Sequence, residues 1–184
     1  MHMKVYRQKL SKESEAAIEK LVGRDINSIL SPWCDLHYNS SIIELSHLSI
    51  QLGPREFFIL ENDWDDTPIE YHDYYFLEAS IKPQPLDIKV KDEGNKSFTF
   101  IVSHMTLRLG GNSKVIKVSI LEDEYKGSKE TVLYDAGLVI EQENGNKIAI
   151  VRQESISGFL EIAQSNNDID LLTKNLRIRC KFNA

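Results

Sequence analysis

Apolar and polar positions along this chain follow two different periods. Near the amino terminus, Ala17, Ile18, Leu21 and Val22 form a narrow stripe at helical spacing. Ser11 can cap the start, Glu13 and Glu15 suit the positive end of the helix dipole, and Gly23 suits the exit, so a helix is predicted over 11–23. From Asp25 to Ser41 the signals are mixed and Pro32 forbids a regular element, which predicts a short helical turn followed by a loop. Beyond that the period becomes two. Leu48, Ile50 and Leu52 alternate with Ser49 and Gln51, and Gly53-Pro54 punctuates the run. Further strands are predicted at 56–60, 74–79, 86–90, 97–109, 114–121, 131–134, 137–143 and 147–152.

The strongest local signal is Glu143-Asn144-Gly145-Asn146. Asn-Gly supplies the positive φ values of a type I′ turn, predicting a tight hairpin in which Val139 faces Ile150 and Leu138 faces Val151. Both faces carry apolar residues, so this hairpin is expected in the interior, covered on two sides. Towards the carboxyl end, 155–163 fits helix or strand, and 168–174 reads as a short helix. Leu176, Ile178, Cys180 and Phe182 then alternate with Arg177, Arg179 and Lys181. That predicts a half-buried strand with a solvated basic face; a basic groove for an anionic ligand is the competing reading.

Self-comparison adds a second level of order. Ser46-His47-Leu48-Ser49-Ile50-Gln51-Leu52-Gly53 returns as Ser103-His104-Met105-Thr106-Leu107-Arg108-Leu109-Gly110, with four identical positions. Ile59-Leu60-Glu61 then matches Ile120-Leu121-Glu122, and Asp63-Trp64 matches Glu124-Tyr125. Phe76-Leu77-Glu78 matches Val139-Ile140-Glu141, and 86–90 matches 148–151. Short β sequences also resemble one another by chance, but an ordered series favours duplication of about 42–90 as 99–151. The expected fold is therefore mainly β, one domain over 1–184. Two similar four-stranded units would form an antiparallel β-sandwich or partly open barrel, with an amino-terminal helix and a short carboxyl-terminal one.

Composition narrows the class. At 41% hydrophobic and 27% charged, the chain has the make-up of an ordinary folded domain. No apolar run approaches a membrane span and no signal peptide or lipidation signal stands out, which predicts a cytoplasmic protein off the membrane. Met1-His2-Met3 reads as a remnant of expression ahead of a natural start at Met3, and His2 then belongs to no site. Two cysteines, Cys34 and Cys180, exclude a disulfide framework and a multi-cysteine zinc site; free thiols are expected over a single bridge. A net charge of −6 points away from nucleic acid.

No catalytic signature is present, and no cofactor is expected. His47 and His104 match in the repeat, yet alternation puts each opposite the apolar face, so they read as exposed or hydrogen-bonded strand residues. Cys34 and His37 sit close in a Pro-Trp-Cys-Asp-Leu-His loop, without a context that lowers a thiol pKa. Gly110-Gly111-Asn112 lacks the lysine and helix of a phosphate loop and reads as a turn, as do Gly94 and Gly127.

The most unusual stretch is 61–76. It carries Glu61, Asp63, Asp65, Asp66, Glu70 and Asp73 without a lysine or arginine, interleaved with Trp64, Tyr71, Tyr74, Tyr75 and Phe76. A calcium loop fails because glycine and glutamate are missing where such a loop needs them. Asp63, Asp65, His72 and Asp73 offer oxygen-rich donors for a divalent metal and metal-dependent hydrolysis, at a spacing that fits no standard mechanism. Dense carboxylates beside large aromatics suit a basic protein partner, the rings anchoring and the charges steering. A solvated connection with its rings in the core is the competing structural reading. The leading expectation is a non-enzymatic protein-binding module, with Glu61, Asp63, Trp64, Asp65, Asp66, Glu70, Tyr71 and Asp73 meeting the partner. A small acidic inhibitor of the immunity-protein kind, neutralising a basic toxin, fits this class. A metal-dependent or ligand-binding β domain and an assembly module pairing through sheet edges are the alternatives. Oligomeric state is not legible.

Overall fold

Period-two patterning over most of the chain produces a sheet that folds over on itself. The computed structural model describes residues 3–36, 40–91, 97–100 and 104–184. His2, His37, Gly94 and Ser103 lie outside the described residues, as does the middle of the strand predicted over 97–109. In chain order the elements are β1 (Lys4–Gln8), α1 (Lys12–Glu19), β2 (Asp25–Ser31), β3 (Cys34–Leu36), β4 (Ile43–Leu45), β5 (Leu48–Gly53), β6 (Glu56–Asp66) and β7 (Asp73–Lys82). They continue as β8 (Ile88–Lys91), β9 (Ser97–Phe100), β10 (Met105–Lys126), β11 (Glu130–Gln142), β12 (Lys147–Arg152), β13 (Leu160–Ala163), α2 (Asn166–Thr173) and β14 (Arg177–Asn183).

The main sheet runs β3-β4-β13-β12-β11-β10-β2-β5-β6-β7, with β1 added to β11 in parallel and β14 added to β10 antiparallel. β10 is long enough to serve three partners, its first part pairing with β2 and its second with β11 on one edge and β14 on the other. Folding of the sheet encloses one large core, including Leu48, Ile50, Phe58 and Leu60 from one arm and Val118, Ile120, Leu138 and Ile150 from the other. α1 contributes Ala17 and Ile18 to it, and the turn that follows contributes Leu21. A second cluster, where Tyr74 and Phe76 of β7 meet Val132, Tyr134 and Ala136 of β11, ties the arms together without hydrogen-bonded closure. The architecture is a mainly antiparallel, open sandwich with an amino-terminal and a short carboxyl-terminal helix. Among the described residues no helix is long and apolar enough to cross a membrane.

Several local expectations meet tertiary detail. The helix forms as read, with the Ser11 hydroxyl accepting from the Ser14 N–H at 3.0 Å and Gly23 at φ +79° past its end. The stretch after it is not a helical turn: 25–31 is β2, with Ile26 and Ile29 fully buried, and Pro32 follows its end. β2 takes extended form because it lies between β5 and β10, which satisfy its backbone on both sides.

The Asn-Gly hairpin forms one residue out of the predicted register. Gly145 N–H donates to the Gln142 carbonyl, Gln142 N–H donates to the Asn146 carbonyl, and Gly145 alone has positive φ, at +87°. This is a three-residue loop with a glycine bulge, so Val139 faces Ala149 and Leu138 faces Ile150. Both faces are covered, one by the main core and the other by Ile42, Ala163 and Ile169 of α2.

The two matched segments lie on either side of β2, as the meanders β5-β6-β7 and β10-β11-β12. Gly53-Pro54-Arg55 reverses the chain, whereas Gly110-Gly111-Asn112 bends β10 without reversing it, Gly110 standing at φ +90°. β8 pairs with β9 in a separate two-stranded sheet, so the first meander is not extended by a fourth strand as the second is by β13.

β14 departs most from its pattern. Ile120 pairs with Cys180 and Leu121 with Ile178, leaving Arg179 in a bulge. The bulge turns Arg179 inwards and leaves Ile178 54% exposed. The predicted solvated basic face is therefore interrupted: Arg179 Nε and Nη2 donate to Asp135 at 2.5 and 2.9 Å, and Nη2 to Glu15 at 2.8 Å.

Candidate functional site

β6 and β7 form a hairpin that carries the acidic-aromatic stretch, with Asp66 opposite Asp73 as its last rung. Its loop, 67–72, folds tightly because Thr67 N–H donates to the His72 carbonyl and Tyr71 N–H to the Thr67 carbonyl. Tyr71 takes φ +53°, unusual for a residue with a side chain. The loop is clasped to the β10–β11 turn. Buried Glu130 accepts from the Ile69 and Glu70 N–H groups, the latter at 2.8 Å. Burial alone would raise the Glu130 pKa; hydrogen bonds from Thr67 and these amides outweigh it and hold the carboxyl below its ordinary value. Glu70 accepts from the Ser128 hydroxyl at 2.5 Å, and this bond lowers its own pKa.

Gly127 makes the clasp possible, since a Cβ there would overlap the Glu70 carboxylate and touch the Tyr125 ring. Gly127→Ala is expected to lower the melting temperature by displacing Glu70. Adding Glu70→Ala should then cost little more, a non-additivity that a double-mutant cycle by thermal melting would show.

The clasp brings residues 71–75 beside 123–125, and between them lies a cleft of about 620 Å³ at one end of the sandwich. One wall carries the His72 ring stacked on Tyr125, centroids 4.4 Å apart. Tyr71, Tyr74, Tyr75 and Tyr134 supply further ring surface. Burial, with Asp65 adding to it, pushes the Tyr74 hydroxyl up to about 12. Burial also raises Tyr134, so both phenols stay protonated at neutral pH. Arg152, 6% exposed, lines the cleft over the Tyr134 ring, at 5.3 Å from its centroid. Its Nη2 donates to Asp123 at 2.7 Å and to the Tyr134 hydroxyl at 3.1 Å, and its Nη1 forms an ion pair with Glu154 at 3.2 Å. Among the described residues its Nε–H, closed to solvent, has no acceptor. Asp73, Asp123, Glu124 and Glu154 thus face one cation in the lining.

The predicted partner residues are divided by this geometry. Tyr71 and Asp73 line the cleft. Asp63, Trp64, Asp65 and Asp66 are exposed along β6, Trp64 at 44%. Glu61 pairs with Lys82 at 3.3 Å, and Glu70 is held in the clasp. Asp66 shares a hydrogen bond with Asp73, which raises its pKa first of all, with the like charges of Asp73 and Asp65 adding to the effect. Tyr74 and Phe76 belong to the core, as the structural reading had it. Asp123, Glu124, Tyr125, Tyr134, Arg152 and Glu154 escaped the sequence reading as site residues. Glu124-Tyr125 had a signal, the match to Asp63-Trp64; Arg152 had none, since it reads as the polar end of a strand.

The metal alternative finds no convergent donors: among the described residues no three histidine, cysteine, aspartate or glutamate side chains form a group that could hold an ion. His104 is engaged by the Leu86 carbonyl at 3.0 Å and by Asp87, and burial lowers the pKa of His47. Cys34 and Cys180 are unpaired. No protein-family model matches the chain, and neither a curated protein nor a solved structure shows significant similarity to it.

Proposed function

We propose that this is a non-enzymatic binding protein whose acidic-aromatic face, centred on the cleft, receives a basic protein partner. The observation that carries the reading is the lining: aromatic rings and four carboxylates against one arginine already paired with two of them. Rings held at an accessible cleft supply anchor area, and surplus negative charge steers a basic surface and sets its specificity. The finer version is a cytoplasmic inhibitor of the immunity-protein kind acting on a basic toxin-like protein, which the net charge of −6 favours.

A labelled octa-arginine peptide, read by fluorescence anisotropy, tests the general reading. Binding is expected at low ionic strength, weakening by about tenfold or more near 0.3 M salt as screening shortens the reach of the charges. Octa-glutamate should not bind. Equal binding of the two peptides, or no binding of octa-arginine at low salt, would sink the reading.

A further inference from the structure

The two matched segments flank β2, and equivalent residues of each open onto it from opposite sides. Ile26 and Ile29 of β2 belong to the main core, whereas Asn27 and Ser28 between them face outwards. On the β10 side these two line a hollow of about 310 Å³ with Thr106, Arg108, Gly110 and Asn112. On the β5 side they line a second, of about 340 Å³, with Asp25, Gln51 and the turn at 52–54. Arg108-Leu109-Gly110 and Gln51-Leu52-Gly53 are matching stretches of the repeat, so the hollows correspond to each other. Neither shares a residue with the acidic cleft.

The first hollow exists because β10 bulges. Its register moves from Arg108 opposite Ser28 to Ser113 opposite Ile26, leaving 109–112 against Asn27 alone. The bulge is fixed from below. Leu109 is buried, Asn146 Nδ2 donates to its carbonyl at 3.3 Å, and Gly110 stands at φ +90°, where a Cβ would press on that nitrogen at 3.2 Å. The chemistry of the lining is the reverse of the cleft's: hydroxyls, amides and one guanidinium, without a carboxylate. Arg24, Arg152, Arg177 and Arg179 each pair with a carboxylate, but among the described residues Arg108 makes neither an ion pair nor a side-chain hydrogen bond. A guanidinium offers five N–H donors and no acceptor, so the group that suits this lining is an oxyanion. The second hollow differs. Gln51 stands where its match carries arginine, and Asp25 is its charged residue, which suits neutral hydroxyls and repels a second anion.

We propose that the two hollows form one binding site for a small sugar-phosphate-type ligand. The phosphate sits against Arg108, Thr106 and Asn112, and the hydroxyls of the ligand run across Asn27 and Ser28 towards Gln51 and Asp25. The donors of the first hollow come from two strands and a bulge, an arrangement that a tetrahedral group with three oxygens meets from several sides; a planar carboxylate is satisfied by the guanidinium alone. Arg108 supplies the charge that a lysine and a helix amino terminus supply in a nucleotide phosphate loop. The site is independent of the basic-partner reading.

Glucose 6-phosphate, inorganic phosphate and glucose, each titrated against the full chain in nitrogen–proton correlation spectra, test the site. Saturable shifts of the Asn27, Gly110, Gly111 and Asn112 amides are expected with glucose 6-phosphate. Inorganic phosphate should bind about tenfold more weakly, and glucose not measurably up to about 20 mM. Arg108→Gln places the residue of the matching position in this exposed site and should weaken glucose 6-phosphate by about tenfold or more. Arg7→Gln, the same charge change on β1, should alter it by less than about twofold. Equal weakening by the two variants would reduce the effect to net charge and overturn the site. Inorganic phosphate binding as tightly as glucose 6-phosphate overturns the proposed ligand class. Glucose 6-phosphate that produces no saturable shift by about 20 mM overturns the proposal outright.

Discussion

Asp135→Leu is expected to destabilise the protein by about 3–5 kcal/mol, because it leaves one member of a buried ion pair without the other. Asp135 is 1% exposed, and its carboxylate receives both Arg179 nitrogens and the Leu10 N–H at 2.7 Å. Three segments meet on this carboxylate: the entrance to α1, the bulge in β11 and the bulge in β14. Both bulges lie opposite Leu121 of β10, where Ala136 and Arg179 are the extra residues. Removing the carboxylate strands a largely buried guanidinium and a backbone donor together. Glu15, 31% exposed and touching the same guanidinium, should matter much less, about 1 kcal/mol for Glu15→Ala. Urea melts of the three proteins would decide it. The double variant Asp135→Leu with Arg179→Met should recover much of the loss, since no buried charge then remains unpaired. A single-variant cost no larger than that of Glu15→Ala would show that the pair is not structural.

Phe58→Ala should cost a similar amount, about 3–5 kcal/mol, by a different route. Phe58 is 0% exposed, paired with Ile50 on β5 and Ile81 on β7, and it fills the core that both arms of the sheet share. Truncation loses the transfer energy of the ring and leaves a cavity that close-packed neighbours cannot fill. For a chain of 184 residues this corresponds to a fall in melting temperature of roughly 10 °C. Phe57 points to the other face and is only partly buried, so Phe57→Ala should cost nearer 1 kcal/mol. Calorimetry on the two alanine variants would separate them, and equal losses would contradict the assigned faces of β6. Since total stability for such domains is about 5–15 kcal/mol, either large-effect variant removes a substantial fraction of it.

The candidate site was half legible. The acidic-aromatic density of 61–76 drew attention to the hairpin that does form one wall of the cleft, through Tyr71, His72 and Asp73. Its other wall is contributed by 123–125 and by Arg152, residues separated from the first by some fifty to eighty positions. No local pattern announces that meeting. It depends on Glu130 and Ser128 gripping the loop 67–72, and a buried glutamate at the start of a strand is indistinguishable in the sequence from an exposed one.

What the amino-acid sequence determined by itself is whatever depends on nearest neighbours along the chain: the capped helix at 12–19, the period-two strands, the glycine turn at 145, and the mainly antiparallel β class. Those follow from backbone sterics and from the alternation of apolar side chains, both local properties. Tertiary structure alone decided the strand state of 25–31, the one-residue register of the β11–β12 hairpin and the inward turn of Arg179. It also joined the two walls of the cleft. In each case the deciding partner lies across the sheet, where a hydrogen-bonding neighbour or a buried charge outweighs a local preference of about 1 kcal/mol or less.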